Sequence, residues 1–403
     1  MEVDRLMQPG LAELIAAIRE GELVAFASQL LRIPSVNPKD ADDCVRMGID
    51  PGEGRLVEAL AVRLSGAGID VETEEIAPGR PNLLARVRGP KPGPVLAFNA
   101  HTDTVGAFAM HERAFRPEVQ RGALYGRGAV DMKGALACFV LALEILARHA
   151  SLQAGEVVLT AVIGEEGPPS GSEHLTRQGF HPDGIIVGEA SGCKIFTGQR
   201  GGQFVRLTTL GQSGHGSIPS SGVNAIDEMM RLLAAAPNME LITHSQGPYG
   251  APTWSVGTIR GGVRTNVIPD DCVATIDVRI PPGIQPGDVL SNMERLAGEL
   301  GISAHVEAEE TGYPAYLTDP DSRLVRLARK ASRMLVGRAD TDLAPFWSDL
   351  AYFAQAGVPG VVIGPGSILQ AHSDEEYVDV SQLIKATQLY VLIAALFCGG
   401  AAE

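Results

Sequence analysis

Four short segments of this sequence place histidine or acidic residues directly after an apolar run or a glycine-rich turn. They are Asn99-Ala-His101-Thr-Asp103, Gly128-Ala-Val-Asp131-Met-Lys-Gly134, Ile163-Gly-Glu165-Glu166-Gly167 and Val187-Gly-Glu189. In an open α/β sheet, ligands bind at the carboxyl ends of strands. Imidazole and carboxylate groups that converge there are typical ligands of zinc and related metals.

His101 and Asp103 are two residues apart, so in an extended segment they face the same side. One ring nitrogen of His101 can bind a metal ion while Asp103 accepts a hydrogen bond from the other nitrogen. A solvated loop histidine beside an aspartate is the ordinary alternative for this pair taken by itself.

Glu165 and Glu166 leave a strand in different directions because they are adjacent. One carboxylate can bind metal while its neighbour takes a proton from an attacking water. Adjacent glutamates are common on protein surfaces, but the apolar run before this pair and the glycines beside it favour a buried site.

Three further residues complete the candidate set. Asp131 can bridge two metal ions with its two oxygens, or it can cap a helix that begins at Met132. Glu189 ends an apolar strand, so its charge must be paired or bound to metal. His372 follows the turn Gly364-Pro-Gly366 and would be an ordinary loop histidine if taken by itself.

In this order, the segments resemble the dinuclear zinc hydrolases of the M20 peptidase family, which includes acetylornithine deacetylase, succinyl-diaminopimelate desuccinylase and glutamate carboxypeptidase. The resemblance is carried by residues 99–105, 124–134, 163–167, 185–189 and 370–377 and extends over nearly the whole chain. One departure is Ala190 after Glu189, where the deacetylases usually have proline.

The resemblance implies two divalent metal ions, zinc in the first place and Co²⁺ or Mn²⁺ as alternatives. One ion would be held by His101 and Glu189 and the other by Glu166 and His372. Asp131 would bridge the two ions and would be followed by a cis peptide bond.

It further implies that Glu165 is the general base and then the general acid, and that Asp103 orients His101. The segment around His215 resembles the one whose histidine stabilises an oxyanion. In dimeric relatives this histidine comes from the partner subunit. An ordinary glycine-rich loop histidine is the alternative.

Asn266 and Arg279 resemble residues that hold the substrate carboxylate, which Arg279 can bind with two hydrogen bonds. An ion pair with Asp277 is the alternative for Arg279. The backbone N–H groups of Gly364 and Gly366 would lie near the same anion.

Alternating strands and helices predict an α/β catalytic domain from residues 1–197 and 313–403, with a helix over Leu11–Leu31 and a loop over Asn37–Gly52. Residues 198–312 are predicted to form an inserted α+β domain. The resemblance implies a mixed-sheet, zinc-exopeptidase-like catalytic domain and a ferredoxin-like dimerisation or lid domain, and hence a homodimer.

The composition excludes some classes of function. The 403-residue chain has a formal net charge of −15, which gives no basic excess for binding nucleic acid. Five dispersed cysteines indicate free thiols, and no secretory signal is visible in residues 1–10, so a cytoplasmic protein is predicted. The apolar stretch Leu389–Cys398 is too short to span a membrane and predicts a C-terminal core helix.

The favoured function is an N-acyl-amino-acid deacylase of the acetylornithine or succinyl-diaminopimelate type. An exopeptidase of the glutamate carboxypeptidase or dipeptidase type is the first alternative, and a biodegradative amidase or carbamoylase is the second. A binding protein that has lost catalysis would lack a metal ligand or Glu165, and all of these residues are present.

Overall fold

The structure is a computed structural model that describes residues 9–244, 249–309 and 312–399. The chain divides into two compact units. The α/β unit comprises Met1–Thr197, Thr318–Asp342 and Ser348–Glu403, and the inserted unit comprises Gly198–Leu317 and Leu343–Trp347. The inserted unit therefore extends beyond residue 312, where the sequence predicts its end. Residues 1–8, 310 and 311, on which parts of the sequence prediction fall, lie outside the described residues.

Helices and strands alternate along the chain. The helices are α1 (Pro9–Ala16), α2 (Glu20–Leu31), α3 (Ala41–Met47), α4 (Gly54–Gly66), α5 (Lys133–Arg148), α6 (Gly171–Arg177), α7 (Ala225–Ala235), α8 (Glu240–Thr243), α9 (Pro286–Glu299), α10 (Arg323–Val336), α11 (Leu350–Gln355) and α12 (Val380–Phe397). The strands are β1 (Asp70–Ala77), β2 (Arg80–Arg88), β3 (Val95–His101), β4 (Glu118–Gln120), β5 (Ala123–Tyr125), β6 (Glu156–Val162), β7 (Gly184–Val187), β8 (Ile195–Gln199), β9 (Gly201–Leu210), β10 (Thr253–Gly261), β11 (Asp271–Ile280), β12 (Ala304–Ala308), β13 (Tyr316–Leu317), β14 (Thr341–Ala344), β15 (Gly360–Val362) and β16 (Tyr377–Asp379).

The α/β unit is built on a mixed sheet with the strand order β1-β2-β6-β3-β7-β15-β8. Strands β6, β3, β7 and β15 run parallel, whereas β1, β2 and β8 pair antiparallel with their neighbours. Strands β3, β6 and β7 are almost fully buried, as expected of parallel strands covered on both faces. This confirms the predicted α/β class with a mixed sheet.

Helices α5 and α12 form the core of this unit beside the sheet. Phe139 of α5 stacks on Phe98 of β3 with 4.8 Å between ring centroids, and its ring lies 4.2 Å from that of Tyr390 of α12. The Tyr390 hydroxyl donates a hydrogen bond to the carbonyl oxygen of Ile363. This aromatic cluster fixes the helices against the strands whose ends carry the candidate site.

Helix α12 is long and apolar enough to cross a membrane by length and composition, and 67% of it is buried inside the protein. It packs against α5, α10 and α2. A mostly buried helix of this kind is a core helix of the α/β unit, as the sequence predicts.

The inserted unit has the element order β9-α7-α8-β10-β11-α9-β12 and an antiparallel sheet of order β10-β11-β9-β12. This is a ferredoxin-like βαββαβ arrangement with one additional short helix. Its core contains Val205, Leu207, Met229, Ile276 and Met293.

Two local predictions differ from the structure. The predicted helix Leu11–Leu31 is interrupted, because Arg19 adopts extended backbone angles and a new helix starts at Glu20 with acidic residues in its first turn. The predicted loop Asn37–Gly52 contains α3. That helix buries only Asp43 and Cys44, so no apolar periodicity marks it in the sequence.

Candidate metal centre

Three neighbouring parallel strands bring their carboxyl ends to one edge of the sheet. His101 is the last residue of β3, Glu165 and Glu166 follow β6, and Glu189 follows β7. In the register of the sheet His101 lies beside Val162, and the strands on both sides hold β3 in place. The sheet itself therefore assembles four of the predicted residues.

The other two ligand candidates come from loops. Asp131 lies between β5 and α5 and is joined to Met132 by a cis peptide bond, as predicted. Met132 occupies the N-cap position of α5, so Asp131 is not the helix cap. His372 follows a short 3-10 helix, Ile368–Gln370, and has a positive φ of 58°.

Asp131 lies between the two histidines. Its Oδ1 atom is 2.9 Å from Nε2 of His101, and its Oδ2 atom is 3.2 Å from Nε2 of His372. Nε2 of His101 is also 3.4 Å from Oε1 of Glu189, and Nε2 of His372 is 3.0 Å from Oε1 of Glu166. The five side chains form two adjacent groups that share Asp131, which is the grouping that the resemblance implies.

Burial and neighbouring charges set the electrostatics of this cluster. Burial raises the pKa of Glu189 to about 7, and the negative charge of Asp131 adds to the shift. Hydrogen bonds to Asp131 and Glu166 raise the pKa of His372 to about 10. Burial lowers the pKa of His101, but the neighbouring carboxylates outweigh it and the net shift is well upward. The cluster therefore favours additional positive charge.

The residues fit divalent metal ions. Donor atoms of His101, Asp131 and Glu166 all lie within 4.8 Å of one another, as in a metal-binding group. Oε1 of Glu189 is buried and has no hydrogen-bond partner among the described residues. A buried carboxylate oxygen without a donor is costly unless a cation neutralises it. Carboxylates with imidazoles are ligands for several divalent metals, so this set does not identify the metal.

The predicted contact between the Asp103 carboxylate and His101 requires a correction. Nδ1 of His101 is 3.0 Å from the main-chain oxygen of Asp103, whereas the carboxylate Oδ1 is 3.6 Å away. The ring nitrogen is therefore closer to the main-chain oxygen of Asp103 than to its carboxylate, and the orientation of His101 by Asp103 stays a prediction.

The Asp103 carboxylate binds the turn that carries the two glutamates. Oδ1 accepts hydrogen bonds from the N–H groups of Gly164 and Glu165 at 3.0 and 3.3 Å. Oδ2 accepts from the N–H of Glu166 at 3.0 Å and from Nδ2 of Asn37 at 2.8 Å. Asp103 thus fixes the backbone from which Glu165 and Glu166 project.

Gly364 and Gly366 also require a correction. The N–H of Gly364 donates to Oγ of Ser191 at 3.0 Å, and the N–H of Gly366 donates to Oε1 of Gln382 at 2.8 Å. Neither N–H is free for a substrate anion in this structure, because each donates to a side chain outside this loop. A Cβ at Gly364 would collide with the carbonyl oxygen of Glu189, so this glycine lets the backbone of a candidate ligand approach closely.

His215 and Asn266 lie in adjacent segments of the inserted unit. His215 forms a β-bridge with Val267, and the N–H of Gly216 donates to the carbonyl oxygen of Asn266 at 2.9 Å. Nδ1 of His215 is 2.7 Å from Oγ of Ser217. The roles of His215 and Asn266 in catalysis and substrate binding stay predictions.

Arg279, in the same unit, forms the ion pair that the sequence left open as an alternative. Its Nε and Nη2 atoms are 2.8 and 3.1 Å from the two carboxylate oxygens of Asp277. Its guanidinium also lies over the ring of Phe204. Binding of a substrate carboxylate by Arg279 stays a prediction.

Three contributors to the site were not named as site residues from the sequence. Asn37 holds the Asp103 carboxylate, Ser191 holds the Gly364 loop, and Glu376 accepts hydrogen bonds from the backbone at Asp131. Small polar residues in loops give no signal of this kind. Burial of Glu376 within an acidic run becomes apparent only once β16 is placed.

Comparison with known proteins identifies the family of this chain. Residues 97–395 match the family model described as peptidase family M20/M25/M40. A succinyl-diaminopimelate desuccinylase from Methylobacterium radiotolerans is 32% identical over 91% of this chain and 94% of that protein. An acetylornithine deacetylase from Aliivibrio fischeri is 31% identical over 89% and 94%, respectively. The N-formyl-4-amino-5-aminomethyl-2-methylpyrimidine deformylase of Bacillus subtilis is 28% identical over 84% and 88%.

Solved structures share the fold. Aminopeptidase PepT from Bacillus cereus superposes with a TM-score of 0.77 at 20% identity, covering 94% of this chain and 99% of that one. A Bacillus subtilis protein described as a dinuclear metal-binding peptidase of family M20 superposes with a TM-score of 0.67 at 17% identity, covering 95% and 99%. The family model and the relatives above 30% identity decide the assignment: the chain is a hydrolase that belongs to the M20/M25/M40 peptidase family.

Proposed function

We propose that this protein binds two divalent metal ions, with zinc as the first candidate, and hydrolyses an amide bond next to a free carboxylate. The observation that carries the proposal is the position of Asp131, whose two oxygens each face one histidine–glutamate pair. His101 with Glu189 would hold one ion and His372 with Glu166 the other. When bound, such a pair of cations lowers the pKa of a water molecule and polarises the scissile carbonyl.

Glu165 is the proposed general base. It is adjacent to Glu166 but is not among the five side chains proposed to hold the metal ions, and its backbone N–H is held by the Asp103 carboxylate. Burial raises the pKa of Glu165 well above its usual range, and the charges of nearby Glu189 and Glu166 add to the shift. A carboxylate with a raised pKa is a better proton acceptor at neutral pH. It would take the proton from the attacking water and then give it to the leaving nitrogen.

The proposed substrates are N-acyl amino acids. Support comes from relatives at 31–32% identity that carry the names of a desuccinylase and a deacetylase and match nine tenths of the chain. Arg279 is the proposed ligand of the substrate carboxylate, and it would have to exchange Asp277 for the substrate. The cytoplasmic location stays a prediction.

A hydrolysis screen tests this function. Zinc-loaded protein is offered N-acetyl-, N-succinyl- and N-formyl-amino acids together with dipeptides, and each reaction is repeated after treatment with a chelator. We expect chelator-sensitive release of the acyl group as carboxylate. Cleavage of dipeptides alone would assign the protein to the exopeptidases instead, and equal turnover after metal removal would contradict the metal-dependent function.

We also propose a homodimer formed through the inserted unit. Strand β10 is at one edge of that unit's sheet, and Val256 and Ile259 on it are 40% and 49% exposed. Edge strands with exposed apolar residues are suited to pairing with a second chain. Light scattering at micromolar concentration should give twice the mass of one chain, and Ile259→Asp should shift it to one. A monomeric wild-type protein would contradict the dimer.

A further inference from the structure

Arg127 and Glu376 form an ion pair that is buried next to the candidate metal centre. Nη1 of Arg127 is 2.5 Å from Oε2 of Glu376, and the two side chains are 1% and 0% exposed. Burying a charged pair costs desolvation that its attraction offsets only in part, so such a pair is weak evidence for a stabilising role. Its place in the fold indicates a different role.

The second oxygen of Glu376 binds the turn that carries Asp131. Oε1 accepts hydrogen bonds from the N–H groups of Val130 and Asp131 at 3.0 and 3.3 Å. The main-chain oxygen of Glu376 accepts a further bond from the N–H of Gly126 at 3.1 Å. The backbone on which the Asp131 carboxylate depends is therefore held at three points by one residue.

Glu376 is also tied to the segment that carries His372, four residues before it. Tyr377, the next residue, pairs with Tyr125 in the β16–β5 ladder, and the two rings lie 5.2 Å apart. Arg127 extends the assembly, because its Nε donates to the carbonyl oxygen of Gly106 at 2.9 Å. The turn at residues 125–131 and the segment at residues 372–377 are far apart in the chain, and these contacts hold them together.

We propose that Glu376, held by Arg127, is a positioning residue that sets the placement of Asp131 relative to His372. It thereby determines the affinity of the second metal group, formed by His372, Glu166 and Asp131. Asp131 also belongs to the first metal group, but the other two members of that group, His101 and Glu189, lie at the ends of β3 and β7, which the sheet fixes, so this group depends on Glu376 less. This inference rests on the proposed two-metal function.

Stepwise titration of the metal-free protein with Zn²⁺, in competition with a chelating indicator, tests the proposal. Glu376→Gln keeps the side-chain size but loses the charge that faces Arg127. We expect one ion to bind within about threefold of the wild-type affinity and the other about 10–100-fold more weakly, the usual loss when a partner of a ligand is removed. Titration with Co²⁺ and its visible absorption gives a second readout.

Glu375→Gln is the matched control, because Glu375 is the neighbouring residue, is 75% exposed and lies 3.6 Å from the exposed Arg113. It should bind both ions as the wild type does. If Glu376→Gln fails to fold, Glu376→Asp keeps the charge on a side chain one methylene shorter and should show the same selective weakening.

The outcomes separate this inference from the proposed function. A wild-type protein that binds fewer than two ions would overturn both. A wild-type protein that binds two ions, with a Glu376 variant that binds both unchanged or weakens both equally, would overturn the positioning role and leave the metal centre standing.

Discussion

The carboxylate of Asp103 gives a prediction whose size follows from the structure. It accepts four hydrogen bonds, two on each oxygen: Gly164 and Glu165 donate to Oδ1, and Glu166 and Asn37 donate to Oδ2. Asp103→Asn leaves one oxygen as an acceptor and turns the other position into a donor. Two of the four bonds are therefore lost whichever way the amide is turned.

A hydrogen bond to a charged group contributes about 1.5–3 kcal/mol, so the loss amounts to about 3–6 kcal/mol of the free energy of unfolding. For a unit of this size, 1 kcal/mol corresponds to slightly less than about 2 °C in Tm, so Tm should fall by at least about 5 °C. Because the turn also carries Glu165, misplacement of the proposed base by about 1 Å should lower kcat about 100-fold.

Thermal unfolding followed by circular dichroism, together with steady-state kinetics, measures both effects. Asp183→Asn is the matched control, since Asp183 is exposed and accepts one backbone bond, from the N–H of Val95 at 2.8 Å. It should lower the free energy of unfolding by less than about 1 kcal/mol. If Asp103→Asn melts within about 2 °C of the wild type, the carboxylate does not hold this turn and the reasoning is wrong.

Four further predictions concern the metal centre. Glu165→Gln should keep the full metal content, measured by atomic absorption, and lose several orders of magnitude in kcat; near-normal turnover would exclude Glu165 as the base. The raised pKa of Glu165 means that it is protonated over more of the acidic range, so kcat/KM should decline as pH falls from a value above the usual glutamate range. Gly364→Ala should weaken metal binding in a chelator competition, because its Cβ displaces the backbone of Glu189, whereas Gly21→Ala, which meets no atom within 4 Å, should not. With its pKa raised to about 10, His372 is protonated at pH 7.5 in the metal-free protein, so metal binding should release a proton, seen by calorimetry in buffers of different ionisation enthalpy; no buffer dependence would contradict its role as a ligand.

Much of the fold could be predicted because its buried elements carry strong patterns. Helix α5 begins at Lys133, one residue after the start at Met132 that the sequence predicts, and α12 contains the predicted C-terminal core helix as far as Phe397. Helix α3 was not predicted, because only two of its seven side chains are buried. Its formation depends on local capping and hydrogen bonds more than on apolar periodicity.

The candidate metal ligands could be named from the sequence because metal binding limits the residue types at strand ends. Their assignment to one metal ion or the other came from the family resemblance and not from spacing. The hydrogen-bond partners of the backbone N–H groups were predicted less well. The N–H groups of Gly364 and Gly366 bind Ser191 and Gln382, and no property of a glycine in the sequence tells which acceptor its N–H will meet. The Asp103 carboxylate shows the same difficulty, since three of its four donors come from a turn about sixty residues further along the chain and the fourth, Asn37, lies 66 residues before it.

The position of β15 in the sheet has a consequence for synthesis of the protein. This strand lies between β7 and β8, yet about 160 residues of the chain, including most of the inserted unit, separate it from the end of β8. At about 5–20 residues per second, the ribosome makes β7 and β8 roughly 8–32 s before β15. During that interval the apolar strand β7 is an edge strand whose backbone groups on one side have no partner strand, which is the kind of surface that chaperones protect. His372 is made later still, so the metal centre is completed only after the inserted unit has been translated.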